Sequence, residues 1–222
     1  MNMIAIAIDG PAGAGKSTIA RKVAETLGYI YVDTGALYRA IGFCLVSENI
    51  DTDNIEAVEE LLKKTKVNIV YIDNEQRVLL NGKDVSEKIR TPQVSMMASK
   101  CSAVPSVRKF LLELQQKLAR EHNVVMDGRD IATVVLPKAK IKIFLTADAT
   151  DRAKRRYDEL ILKDSNVKFE DVLADLKQRD YNDSHREIAP LKPADDSIMV
   201  DTTGNTLQES IELITNIVKE KM

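Results

Sequence analysis

The chain of 222 residues has no tryptophan, two cysteines and two histidines, and aromatic residues make up only 5% of it. Cys44 and Cys101 lack the close spacing of a metal knuckle, and so sparse a set fits buried thiols packed among helices better than a disulfide framework. His122 and His185 have no Cys or His neighbour at ligand spacing, which makes both of them expected surface residues and not metal ligands. Charge of one sign is also missing. The 32 Lys and Arg stand against 34 Asp and Glu, and a net charge of −2 gives no general attraction to nucleic acid or to a membrane surface. Any polyanion must therefore be met by a local group of bases. No apolar run approaches the roughly 18 residues of a membrane span. The apolar start ends at Asp9 without a basic leader and is too short for a signal peptide, so the expected location is the cytoplasm. What is present is a hydrophobic content of 44%, enough for the core of one domain of ordinary size.

Short apolar segments alternate with helical periodicity. Strands are expected at Ile4–Ile8, Tyr29–Val32, Val124–Met126, Ile141–Leu145 and Ser197–Val200, the signature of a parallel sheet covered by helices, hence an α/β doubly wound body. The first helix shows one apolar face through Ile19, Ala20, Val23, Ala24 and Leu27 and is expected to stop at Gly28. Further helices are expected near Leu37–Ser47, Ile55–Lys64, Pro92–Ser102, Val107–Glu121, Asp148–Leu162, Phe169–Ser184 and Leu207–Lys219. One stretch breaks the alternation: Val67–Ile72, Arg77–Leu80 and Lys83–Val85 read as short strands, with Asn81-Gly82 as a turn pair. This small antiparallel β insertion reads equally well as a surface flap and as a substrate-facing element.

Gly10-Pro11-Ala12-Gly13-Ala14-Gly15-Lys16-Ser17-Thr18 follows the first strand and opens the first helix, the context that a phosphate-binding loop requires. Its backbone N–H groups can turn toward phosphate oxygens, Lys16 can reach the β and γ phosphates, and a hydroxyl can ligate Mg²⁺. Ser17 is the expected direct ligand, with Thr18 beside it as the alternative. The helix N-terminus adds its dipole to the same anion.

Such a loop alone suits GTPases, motor and transport ATPases, and small-molecule kinases alike. Two further strand ends narrow the choice, because open α/β sheets bind ligands there. Asp33-Thr34-Gly35-Ala36-Leu37-Tyr38-Arg39 places a hydroxyl, a turn and an arginine after the second strand. Asp127-Gly128-Arg129-Asp130 follows the third, with Asp127 ending an apolar run as a metal-positioning carboxylate would. Each arginine alone is as readily an ordinary surface cation, but the two together beside the loop favour a ligand. A third group, Asp148–Arg156 and Gln178–Arg186, forms two helical stretches that suit a lid closing over phosphates. Within it, interleaved acids make Arg152 and Lys154 expected members of a solvated, ion-paired face. No general base stands out. A phosphate acceptor needs none, since its second pKa is about 6 and it is already largely ionised near neutral pH. A guanine-reading Asn-Lys-x-Asp string is absent, which counts against a GTPase switch.

In order and spacing, residues 9–18, 33–39, 88–91, 127–135, 142–145 and 179–190 resemble the bacterial cytidylate kinases, members of the nucleoside monophosphate kinases, over essentially the whole chain. The resemblance implies one phosphate-binding-loop kinase domain, 1–222, with core 1–66, 91–150 and 187–222, a monophosphate-binding β insert at about 67–90 and a helical lid at about 151–186. It implies ATP as donor, Mg²⁺, and CMP or dCMP as acceptor, in a monomer with no nucleic-acid polymer or membrane as partner. Lys16, Arg39, Arg129 and Arg186 would be catalytic, the three arginines holding the acceptor phosphate. Arg179 and Asp183 would meet the sugar, Ser99, Arg108 and Asp130 the base, and Thr34 and Tyr38 would line the acceptor. Residues 10–18 with Arg155 and Arg156 would bind ATP. Asp33 and Asp127 would reach the metal through water. Cytosine presents an amino donor at N4 beside acceptors at N3 and O2, so a carboxylate with an arginine matches it, whereas uracil would set a carbonyl against Asp130. The rivals that remain are a kinase for another monophosphate or a small alcohol, and a regulatory ATPase or nucleotide-dependent switch.

Overall fold

The computed structural model describes residues 3–73, 75–162 and 166–222. Parts of the β insert (74) and of the lid region (163–165) therefore lie outside the described residues, as do the first two positions. The elements run β1 (Ala5–Asp9), α1 (Lys16–Leu27), β2 (Ile30–Asp33), α2 (Thr34–Ser47), α3 (Ile55–Lys64), β3 (Val67–Ile72), β4 (Glu75–Leu80) and β5 (Lys83–Asp84). They continue with α4 (Pro92–Cys101), α5 (Pro105–Glu121), β6 (Val124–Gly128), β7 (Ile141–Thr146), α6 (Ala149–Ile161), α7 (Phe169–His185), β8 (Ile198–Asp201) and α8 (Leu207–Lys221). The chain clusters into two compact units, one of residues 1–31 with 123–222 and one of 32–122, and passes between them within β2.

In the first unit a five-stranded sheet has the order β2-β6-β1-β7-β8. β1 pairs in parallel with β6 on one side and with β7 on the other, and β7 pairs in parallel with β8. The chain thus leaves β1 in both directions, and the carboxyl end of such a central strand is the switch point where open α/β sheets bind ligands. Ile6, Ile8, Val125, Ile143 and Leu145 are fully buried against Ile19, Val23, Ile214 and Val218, so the apolar stripes of α1 and α8 cover the sheet. Gly28 ends α1 in the left-handed region at φ 66°, as its place after the last apolar residue predicts. α6 and α7 pack on each other through Ala153, Val172 and Leu176, with the ring of Tyr157 edge-on to Phe169.

The second unit has its own core, Leu37, Ile41, Leu45, Val58, Val78, Ile89, Val107 and Leu111 among its members. Its antiparallel sheet β3-β4-β5 pairs Val67 with Leu80 and turns at Asn81-Gly82, both at positive φ as the turn pair requires. α2 and α4 pack so closely that a Cβ on Gly42 would lie 2.9 Å from the Ala98 backbone nitrogen, so only glycine fits there. The turn expected at Thr34-Gly35 does not form. Asp33 accepts from the Ala36 N–H at 2.8 Å and caps α2, so the helix begins at Thr34 and carries Gly35 in its first turn. Among the described residues no helix is long and apolar enough to cross a membrane.

Candidate active site

The loop between β1 and α1 is shaped by backbone that other residues would not adopt. A Cβ on Gly10, at φ 151°, would sit 2.0 Å from the Leu145 carbonyl oxygen, so the chain can pass β7 here only as glycine. Gly15, left-handed at φ 82°, starts α1 with no side-chain cap, which leaves the first N–H groups of the helix for an anion. Lys16 is buried and donates from Nζ to the Pro11 carbonyl at 2.6 Å. Burial first, then the Arg129 charge, hold its ammonium well below the usual lysine pKa, against the pull of Asp127, Asp9 and Asp183. An arriving phosphate would reverse that balance.

Asp127, buried at the end of β6, accepts from Ser17 Oγ at 2.9 Å on one oxygen and from the Tyr31 hydroxyl at 2.8 Å on the other. Ser17 of the two adjacent hydroxyl residues is thus the one joined to the strand-end carboxylate. A hydroxyl and a carboxylate touching beside a phosphate-binding loop suit Mg²⁺, which takes few protein oxygens and completes its shell with water and phosphate.

After Asp127 the chain makes a single π-helical turn at Ile131–Val135, where the sequence gives no periodicity to announce it. Asp9 holds that turn, accepting from the Ile131 N–H at 2.8 Å and the Ala132 N–H at 2.7 Å. Burial pushes the Asp9 carboxyl up to about 6, although both N–H groups resist, while Asp130 raises it further and Lys16 lowers it. Arg129 and Asp130 stand just before the turn, with Asp130 at its N-cap. Arg129 donates from Nε to Asp183 at 2.7 Å and from Nη1 to the Gly128 carbonyl at 3.3 Å. Asp130 is buried with Arg186 Nη2 3.5 Å from its carboxylate, and Arg186 Nε donates to the Ala189 carbonyl at 2.6 Å. Four of the residues expected to meet the acceptor, Arg129, Asp130, Asp183 and Arg186, are thereby paired among themselves in the first unit. Arg179 is half-buried on α7 and ion-paired with Asp175 one helical turn back at 2.8 Å.

The remaining acceptor candidates belong to the second unit. Asp33 pairs through its other oxygen with Arg39 at 2.8 Å, and its N–H donates to Gln76 of β4 at 2.8 Å. Through Gln76 the insert is joined to the end of β2. Arg108 is buried on α5, donates to the Ser102 carbonyl at 3.0 Å and lies over the Tyr38 ring at 5.8 Å. Thr34 is buried in the first turn of α2, and Ser99 is half-buried on α4.

On α6, Arg155 donates to the Thr202 and Asn205 carbonyls at 2.7 and 3.2 Å, in the loop after β8, while Arg156 pairs with Glu159 at the surface. Lys154 is exposed as expected. Arg152 is not. It is buried, and it bonds the Ala147 and Ala12 carbonyls, each at 2.8 Å, and Asp180 at 2.7 Å. The acids that suggested a solvated face lie on its own helix, whereas its partners come from the loop and from α7, and spacing along α6 carries no sign of them. Tyr31, Gln76 and Asp180 were likewise not anticipated. Asp9 could have been, as an acid closing an apolar run just before the loop. Both histidines are exposed, His185 stacked on Tyr181 at 4.1 Å, and both cysteines are buried and free.

Comparison with known families gives this geometry its context. The family described as cytidylate kinase matches residues 6–220. The chain belongs to the cytidylate kinase family. It is 50% identical over 216 residues to the cytidylate kinase of Carboxydothermus hydrogenoformans, covering 97% of each chain. It is 51% identical over 214 residues to that of Caldicellulosiruptor saccharolyticus, covering 96% of this chain and 95% of the other. With the Bacillus subtilis cytidylate kinase it shares 46% identity over 218 residues, 98% of this chain and 97% of that one. Among solved structures, an uncharacterized protein from Eubacterium ventriosum superposes with a TM-score of 0.54 at 14% identity, covering 98% of this chain and 99% of the other, a likeness of fold alone.

Proposed function

We propose that the chain transfers the γ-phosphoryl group of ATP to CMP or dCMP, giving ADP and CDP or dCDP, with Mg²⁺ at the donor phosphates. Membership of the cytidylate kinase family over residues 6–220 is the observation that carries this reading. The loop at 10–18 takes the donor. Lys16 leaves the Pro11 carbonyl for the β and γ phosphates, and the uncapped start of α1 supplies N–H donors. Ser17 and Asp127, already in contact, would hold Mg²⁺. Asp33, which caps α2 through the Ala36 N–H and pairs with Arg39, would reach the metal through water. Mg²⁺ held there would supply positive charge against the negative charge that grows on the phosphates during transfer.

The rest falls to arginines and carboxylates. Arg39, Arg129 and Arg186 bind the acceptor phosphate through planar forks that match its oxygens, releasing the carboxylates that hold them now. Asp183, once released by Arg129, accepts from the sugar hydroxyls, and Arg179 donates to them. Ser99, Arg108 and Asp130 read the base, with Thr34 and Tyr38 lining the acceptor. Arg155 and Arg156 complete the ATP side, and α6 with α7 acts as the lid. Because the acceptor phosphate is already ionised, transfer needs alignment and charge neutralisation and no proton acceptor. The protein acts on free nucleotides, as a monomer in the cytoplasm, with neither a nucleic-acid polymer nor a membrane as partner.

ADP formation with CMP, dCMP, UMP and AMP as acceptors tests this. CMP or dCMP should be turned over fastest. Faster turnover of UMP or AMP removes the base assignment, and ATP hydrolysis indifferent to CMP points to a regulatory ATPase instead.

A further inference from the structure

The phosphate-binding loop is gripped from outside by α6 and α7. Asp180 accepts from the Ala12 N–H at 3.3 Å, and Arg152 Nη1 donates to the Ala12 carbonyl oxygen at 2.8 Å. The two side chains also pair at 2.7 Å, and Arg152 Nε is fixed on the Ala147 carbonyl at 2.8 Å. Arg152 is 5% exposed, and a Cβ on Gly13 would stand 3.3 Å from both its Cβ and its carbonyl oxygen, so the loop lies directly on α6. The Ala12 methyl packs with Ala153, Val172 and Leu176.

These bonds orient two successive peptide planes. Among the described residues no peptide is cis, and in a trans peptide the C=O of one residue and the N–H of the next point in opposite directions. With Arg152 on the Ala12 carbonyl, the Gly13 N–H is aimed away from α6. With Asp180 on the Ala12 N–H, the Pro11 carbonyl is aimed away from α7, and there it meets Lys16 Nζ at 2.6 Å. The side of the loop facing Lys16 is therefore the side that the Asp180–Arg152 pair presents. We propose that Asp180, acting with Arg152, is a positioning residue for the donor phosphates: it fixes the loop peptide that aims the Gly13 N–H and sets where Lys16 waits. Docking of α6 and α7 on the loop and ordering of the donor site are then one event.

The inference rests on the reading of the loop as the ATP site. Its test is Asp180→Ala, with the KM for ATP measured at saturating CMP, the KM for CMP at saturating ATP, and ADP binding titrated calorimetrically without CMP. The KM for ATP should rise about tenfold and ADP affinity fall by about the same factor, while the KM for CMP moves by less than about twofold. Asp180→Asn keeps an acceptor for the Ala12 N–H and should recover much of the loss. An unchanged KM for ATP overturns the proposal, and so does an equal rise in both KM values, which would mark a general structural lesion. If Asp180→Ala loses its cooperative thermal transition, Asp180→Asn decides alone: a smaller rise confined to ATP is expected, and no rise overturns the inference. An unaltered protein that formed no ADP in response to CMP would instead refute the kinase reading, and ADP titration would still report on the loop.

Discussion

Replacing Asp9 by asparagine should change how stability depends on pH, by an amount the structure sets. The folded carboxyl is pushed up to about 6 from an unfolded value of 3.8, chiefly by burial. Between those values the folded state binds more protons than the unfolded one, so the Asp9 contribution to stability falls as pH rises. That difference corresponds to about 3 kcal/mol, fully present only well below the unfolded value of 3.8, reduced to about half at pH 5 and nearly absent above about pH 7. The asparagine side chain cannot titrate. It also sets an amide nitrogen against one of the two N–H groups of the π turn, a cost of about 1–3 kcal/mol that does not vary with pH. The stability of the parent relative to the variant should thus fall by about 1–2 kcal/mol from pH 5 to pH 7.5. For a chain of this length that is about 4 °C in Tm. Thermal unfolding of both proteins followed by circular dichroism at half-unit pH steps measures it. A relative stability that stays constant, or rises with pH, would show that the carboxyl is ionised at its ordinary pKa and that the account of its burial is wrong.

Arg129→Ala should lower kcat by about 10²–10³ at saturating nucleotides, since it removes a phosphate fork and strands Asp183; near-normal turnover in a coupled ADP assay would return Arg129 to the status of a structural ion pair. Asp130→Asn should reduce the ratio of CMP to UMP turnover by about tenfold while sparing turnover with saturating CMP, and an unaltered ratio removes Asp130 from base reading. Gly10→Ala should fail to give a stable protein, because its Cβ would lie 2.0 Å from the Leu145 carbonyl; a variant that unfolds within a few degrees of the parent would mean that β7 can yield there.

How much of this was legible in the sequence depended on how local the cause was. The five strands of the parallel sheet lie within a residue or two of their apolar runs, Gly28 and Asn81-Gly82 act where their backbone freedom predicts, and α3 begins and ends at Ile55 and Lys64 as expected. These are properties of short segments. Asp33 shows the first limit: Asp-Thr-Gly is as good a turn as it is a helix start, and only the carboxylate on the Ala36 N–H decides between them. The π turn after Asp130 shows the second, because its donors are satisfied by Asp9, more than 120 positions away along the chain.

The same distinction explains which parts of the candidate site were legible. Arg39 and Arg129 stood out as candidates because a phosphate acceptor would call for guanidinium groups and open α/β sheets bind ligands at strand ends. Their present partners could not be picked out. Asp183 reaches Arg129, and Asp180 reaches Arg152, only because α7 docks where it does, and nothing in the spacing along α6 or α7 separates those two acids from Asp175, which pairs one turn away on its own helix. The same-helix pair, at an exposed position, contributes little to stability. The two long-range pairs are largely desolvated, so removing one partner leaves a buried charge uncompensated. It is therefore the pairs that cannot be read from sequence, and not the one that can, whose loss should be felt at the phosphates.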